Sequence, residues 1–157
     1  MGKEIERKYL VKRDAWTPAG AGTHFKQGYL NSQKERVVRV RIEGDTAKLT
    51  IKGVTTGVTR SEFEYPLPAD DAGILLDQLC EKPLIDKHRH VEQHGGHTWE
   101  IDVFHGDNEG LVVAEVELAS EDAKPELPAW AGAEVSSDPR YFNSNLLKNP
   151  YKNWRTA

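Results

Sequence analysis

The sequence has one cysteine, Cys80, in 157 residues. That excludes an internal disulfide and fits a reducing, cytoplasmic setting. A basic excess is also missing: 21 Lys and Arg stand against 25 Asp and Glu, a net charge of −4, with no block of like charges. This excludes a nucleic-acid groove or a polybasic membrane patch as the main business of the chain. No apolar run reaches transmembrane length, and the N-terminus is charged where a signal peptide needs an apolar core. Met1-Gly2 is no myristoylation start, since Glu6 stands where Ser or Thr is wanted. Internal repeats and low-complexity tracts are absent as well. The length suits a single domain over 1–157. Apolar residues are lean at 38%, whereas charged residues reach 29%, so the placement of charge is the informative feature.

That placement is alternating. Period-two patterns predict strands over 4–11, 24–30, 37–43, 47–53, 59–67, 84–94, 97–105 and 111–118. In the first, Glu4, Glu6 and Lys8 share one face and Ile5, Tyr9 and Val11 the other. Arg39 and Arg41 oppose Val38, Val40 and Ile42 in the same way; Lys48 and Lys52 oppose Leu49 and Ile51. Arg60, Glu62 and Glu64 oppose Ser61, Phe63 and Tyr65, and Gly95-Gly96 forms a tight hairpin turn. One segment changes period: Ala72, Leu75, Leu76, Leu79 and Cys80 make an amphipathic stripe, predicting a helix over 69–81 capped by Asp70 or Asp71. The tail from 119 onward reads as loop and short helix, with 141–148 helical after Asp138-Pro139.

Glu4-x-Glu6-x-Lys8 alone is better read as a solvated strand face. The whole set argues otherwise. Acids recur in x-spaced pairs (Glu4/Glu6, Glu62/Glu64, Glu115/Glu117), and bases do likewise (Arg39/Arg41, Lys87/Arg89). Solvent-facing strand positions usually mix Thr, Ser, Gln and Lys; here nearly all are ionised. The expected architecture is therefore mainly β (α+β): a closed eight-stranded antiparallel barrel with a charged lumen and a few helices outside, a C-terminal one included. A dry lumen of this kind would cost too much, so it must be wet, internally paired and ligand-filled. Carboxylates without clustered soft ligands suit Mg²⁺ or Mn²⁺, and guanidinium forks suit phosphate. A polyphosphate with its metal needs both. An apolar outer face would either be covered by helices or pair with a second copy, giving a homodimer.

These residues resemble the CYTH superfamily, also called triphosphate tunnel metalloenzymes. The likeness runs from Glu4-x-Glu6-x-Lys8 through Gln27-Gly28-Tyr29-Leu30, Arg39-x-Arg41, Lys52, Arg60-x-Glu62-x-Glu64, Lys87-x-Arg89, Asp102 and Glu115-x-Glu117. It ends in Asp138-Pro139-Arg140-Tyr141-x-Asn143-x-Asn145-Leu146. The resemblance implies metal-dependent hydrolysis of a small-molecule triphosphate, and the compact tail is similar to the short bacterial inorganic triphosphatases. Relatives act as adenylate cyclases or as thiamine or RNA triphosphatases, and a polyphosphate-binding module without turnover is the non-enzyme alternative. The resemblance also implies residue roles. Glu4, Glu6, Glu115 and Glu117 hold the metal, while Glu62, Glu64 and Asp102 are candidates for a second site or, for the Glu pair, for orienting water. Lys8, Arg39, Arg41, Lys52, Arg60, Lys87 and Arg89 clamp phosphate, and Tyr29 either pairs with Lys8 in proton transfer or simply packs at the tunnel mouth. Arg60 and Asp102 could equally serve to satisfy neighbouring lumen charges. Lys48 reads as a rim residue.

Other residues have plainer readings. His88, His90, His94, His97 and His105 follow no zinc spacing and read as surface or hairpin histidines. The four tryptophans suit packing outside the barrel, Cys80 suits inert core, and Tyr141 and Asn143 suit a structural cap on one tunnel end.

Overall fold

The computed structural model describes residues 2–154. Its strands are β1 (Lys3–Val11), β2 (Thr23–Asn31), β3 (Val37–Glu43), β4 (Thr46–Lys52), β5 (Thr59–Leu67), β6 (Ile85–His94), β7 (His97–Phe104), β8 (Val112–Glu117) and β9 (Ala131–Glu134). All pair antiparallel, in the order β5-β4-β3-β2-β6-β7-β8-β1-β9. A further β5–β1 ladder (Glu4 opposite Arg60) closes the first eight into a barrel. No helix among the described residues is long and apolar enough to cross a membrane.

The ninth strand was not expected. Ala131-Gly132-Ala133-Glu134 has little β propensity of its own. It pairs with the half of β1 that runs past the end of β5, Val11 facing Ala131, and so takes up an edge that would otherwise lie open. The turn at Gly95-Gly96 is as predicted: both residues have positive φ, 58° and 80°, which only glycine adopts without strain.

The helix α1 (Ala69–Gln78) lies across β2, β3 and β4, burying Ala72, Leu76 and Cys80 against Val40 and Ala47. Two details differ from expectation. Neither Asp70 nor Asp71 caps it, because the N-cap residue is Pro68; both aspartates sit in the first turn, facing the positive end of the helix dipole. The helix also ends at Gln78, which turns Leu79 outward to 64% exposure. In the tail, the expected helix over 141–148 is a 3₁₀ turn at Pro139–Tyr141 followed by the one-turn helix α2 (Asn143–Leu146). Asp138 caps the turn by accepting from the Arg140 amide.

Three apolar clusters organise the molecule. Two cover the outside: one under α1, the other where Trp130 and Ala131 pack over Tyr9, Trp99, Ile101 and Val116. The outer face of β4 and β5 stays open, with Phe63 and Tyr65 about half exposed. The third cluster lies inside. Val37, Ile85, Phe104 and Val113 keep the parity of the charged lumen residues on their own strands, yet pack against Tyr141, Leu146 and Leu147 of the tail. The lumen is therefore not charged throughout. One end is apolar and stoppered by the C-terminal segment; the charged half is a cup.

Candidate active site

The cup is a cavity of about 250 Å³ lined mainly by charged side chains. Alternation on eight strands supplies them. Every site residue expected from the sequence except Asp102 lines it, and Asp102 lies just behind the wall at 1% exposure.

Register brings the carboxylates together. Glu6 is directly opposite Glu117, and Lys8 opposite Glu115. Glu6 and Glu115 lie side by side, close enough for a protonated Glu6 carboxyl to donate to the Glu115 carboxylate. Burial, then the charges of Glu115 and Glu4, hold the Glu6 carboxyl well above the ordinary range. Burial would raise Glu115 too, but Lys8 and Arg89 hold it well below. The pair has split its titrations, as close carboxylates must. Glu4 and Glu62 lie close together as a second pair, with Glu62 raised by burial and by Glu4. Lys52 sits 3.1 Å from Glu4 and 3.4 Å from Glu62. Glu117 is exposed at the mouth, and Glu64 accepts from Thr50 at 3.3 Å.

The basic side chains form the opposite wall. Arg89 donates to Asp102 through Nε and Nη2 (2.7 and 2.9 Å) and to Glu115 at 3.2 Å. Lys87, fully buried, donates to Asp102 at 2.7 Å and to Asn143 Oδ1 at 3.1 Å. Both Asp102 oxygens are thus taken by cations. Against the rise burial would cause, Arg89 and Lys87 bring its carboxyl down to about 2. Arg41 donates to Gln27 (2.9 Å) and Glu43 (3.0 Å), and Arg39 to Thr50 (3.2 Å). Lys48 pairs with Glu43 at 3.4 Å and is 40% exposed, at the rim. The Nε groups of Arg39 and Arg60 are buried with no protein acceptor. A buried donor without a partner costs about 1–3 kcal/mol, a cost that a bound anion or water would offset.

At the stoppered end, the Lys8 ammonium donates to the Tyr141 carbonyl at 3.0 Å. The Tyr29 hydroxyl accepts from Gln27 (3.3 Å), whose amide also reaches Asn143. Asn143 is thus more than a cap, since it touches Lys87 directly. Phe25 and Glu43 were not singled out from the sequence, although each keeps the lumen parity of its strand; that parity was the available signal. The histidines lie on outward-facing positions, where His24 pairs with Asp86 and His88 with His105.

Burial pulls the Lys87 ammonium down to about 7, against the attraction of Asp102. A lysine lowered on folding binds its proton less tightly than in the unfolded chain, so between that value and about 10.4 the unfolded state holds more protons. Stability from this group therefore rises with pH. Without metal or phosphate, the parent protein should gain about 1–2 kcal/mol relative to Lys87→Met between pH 6 and pH 9, measured by chemical denaturation. A constant difference would contradict it.

Carboxylate pairs suit a hard dication. Among the described residues no three His, Cys, Asp or Glu side chains form a ready-made metal site.

The fold and cavity together define a tunnel protein, a closed antiparallel barrel with a charged cavity inside its own sheet. The chain belongs to the CYTH domain family, whose sequence model matches residues 2–149. It is 51% identical to an inorganic triphosphatase of Acetivibrio thermocellus over 155 residues, covering 99% of both chains. It is 34% identical to an inorganic triphosphatase of Nitrosomonas europaea over 149 residues, 91% of this chain and 95% of the relative. A crystal structure of an inorganic triphosphatase superposes with a TM-score of 0.65 at 33% identity, over 94% of this chain and 95% of that one.

Proposed function

We propose that this chain hydrolyses inorganic tripolyphosphate to pyrophosphate and phosphate with Mg²⁺ or Mn²⁺. The observation that carries the reading is the division of one cup into carboxyl pairs and arginines whose Nε groups lack acceptors. In this reading Glu4, Glu6, Glu115 and Glu117 would hold the cation, which when bound would offset the negative charge of the phosphates. Glu62 and Glu64 orient water or hold a second ion. Arg39, Arg41, Arg60, Arg89, Lys52 and Lys8 bind the three phosphates, and their fixed charges meet the negative charge that grows on the leaving pyrophosphate. Lys87 adds a cation at the deep end whenever it is protonated. Tyr29 and Lys8, at the same end, are the pair assigned to proton handling. Asp102 keeps Lys87 and Arg89 extended, as their counter-ion.

Tripolyphosphate, ATP and thiamine triphosphate should be compared for phosphate release with Mg²⁺ and with Mn²⁺. Tripolyphosphate is expected to be turned over fastest. Cyclic AMP with pyrophosphate from ATP would replace the hydrolase reading by a cyclase. Binding without release from any of the three would leave only a binding module.

A further inference from the structure

Phe25 is the aromatic ring in the midst of the charged wall, 6% exposed. It stands on β2 between β3, which carries Arg41, and β6, which carries Arg89. Both guanidiniums come to it from those flanking strands, their Cζ atoms 4.9 and 4.8 Å from the ring centroid. Two like charges therefore share one ring. A polar side chain here would accept hydrogen bonds from the arginines and use up donors. A ring attracts the cations through its π face and takes no N–H from phosphate.

Competing partners are close. Arg41 has Glu43 at 3.0 Å, and Arg89 has Glu100 at 3.3 Å. Each guanidinium is already paired with one of these carboxylates and the two repel one another, so the ring is the contact that draws both to one place. Arg41 is already under such pressure, its ionisation lowered to about 10 by burial and then by Arg39 and Arg89.

We propose that Phe25 is a positioning residue for the triphosphate, fixing the spread of Arg41 and Arg89 through its ring and so setting phosphate affinity, not the chemical step. The inference rests on the triphosphate reading above. Phe25→Leu and Phe25→Met keep the site apolar but remove the π face. Each should raise KM for tripolyphosphate, and the dissociation constant measured by calorimetry without metal, by about tenfold, with kcat within about twofold. Phe25→Tyr, which restores the ring, should return both constants to near the parent values. A merely structural role would lower the melting temperature without this split and without rescue by the ring. The proposal is overturned if affinity is unchanged in both apolar variants, if kcat falls instead of KM rising, or if Phe25→Tyr behaves like Phe25→Leu. If the parent protein itself does not bind tripolyphosphate, the triphosphate reading falls, and this inference with it.

Discussion

Glu6→Gln is expected to reduce metal-activated phosphate release from tripolyphosphate by on the order of a thousandfold, while leaving the metal-free protein no less stable. The two halves of this result have one cause. Glu6 lies opposite Glu117 and diagonal to Glu115 on the β1–β8 ladder, and burial together with Glu115 and Glu4 raises its carboxyl well above the ordinary range. A carboxyl raised on folding holds its proton more tightly in the folded state, so stability falls as pH climbs from the unfolded value through the folded one. At pH 7.5 that is a standing cost, and glutamine removes it. The amide can also donate to Glu115, as the protonated acid does. What glutamine loses is the negative charge with which a carboxylate holds a dication. Phosphate release and thermal melting, each with and without Mg²⁺, test both halves. Parent-level turnover in Glu6→Gln would remove Glu6 from the metal site, and a large loss of metal-free stability would contradict the account of its titration.

Asp102→Asn should have the largest effect on folding. The carboxylate is 1% exposed and neutralises two cations at once, Lys87 at 2.7 Å and Arg89 at 2.7 and 2.9 Å. An amide in its place leaves both without their main counter-ion in a buried wall. The expected loss is about 3–5 kcal/mol, or about 10 °C in melting temperature for a chain of this size. The sign with pH follows from the depressed carboxyl, at about 2 against an unfolded value near 3.9. Its stabilisation is fully present above the unfolded value and fades as pH falls through the folded one. The gap between parent and variant should be widest near pH 5, shrink above about 7 as Lys87 loses its proton, and narrow again below about 4. Adding Lys87→Met to Asp102→Asn should recover part of the loss, because one of the stranded charges is then gone. Denaturant melts of the three variants suffice, and a deficit under 1 kcal/mol for Asp102→Asn would show that the wall tolerates its cations unpaired.

The lumen side of each strand was legible because period two is a local property. Glu4, Glu6 and Lys8 had to share a face once 4–11 was extended, and Arg39 with Arg41 likewise. The same reasoning could not see where along the lumen the charge stops. Val37, Ile85, Phe104 and Val113 keep the right parity with an apolar side chain, and only the tail folding back over that end explains them. Asn143 shows the same limit. Its sequence neighbours describe a short helical turn, whereas its contacts with Lys87 and Gln27 come from strands far away in the chain. Phe25 was overlooked because a single phenylalanine in a strand is ordinary; two guanidiniums on its ring are not.

By itself, then, the sequence determined the strands, the faces on which charge would gather, and the pairing of acids with acids and bases with bases. These rest on alternation and on the cost of leaving so many ions in a dry interior. Only the tertiary structure decided that the tunnel is a cup, that β9 completes an edge of β1, and that Glu6 meets Glu115 while Asp102 is spent on Lys87 and Arg89. Those outcomes depend on register between strands and on the docking of the last forty residues. Register and docking are fixed by the closure of the whole barrel, which no local window contains.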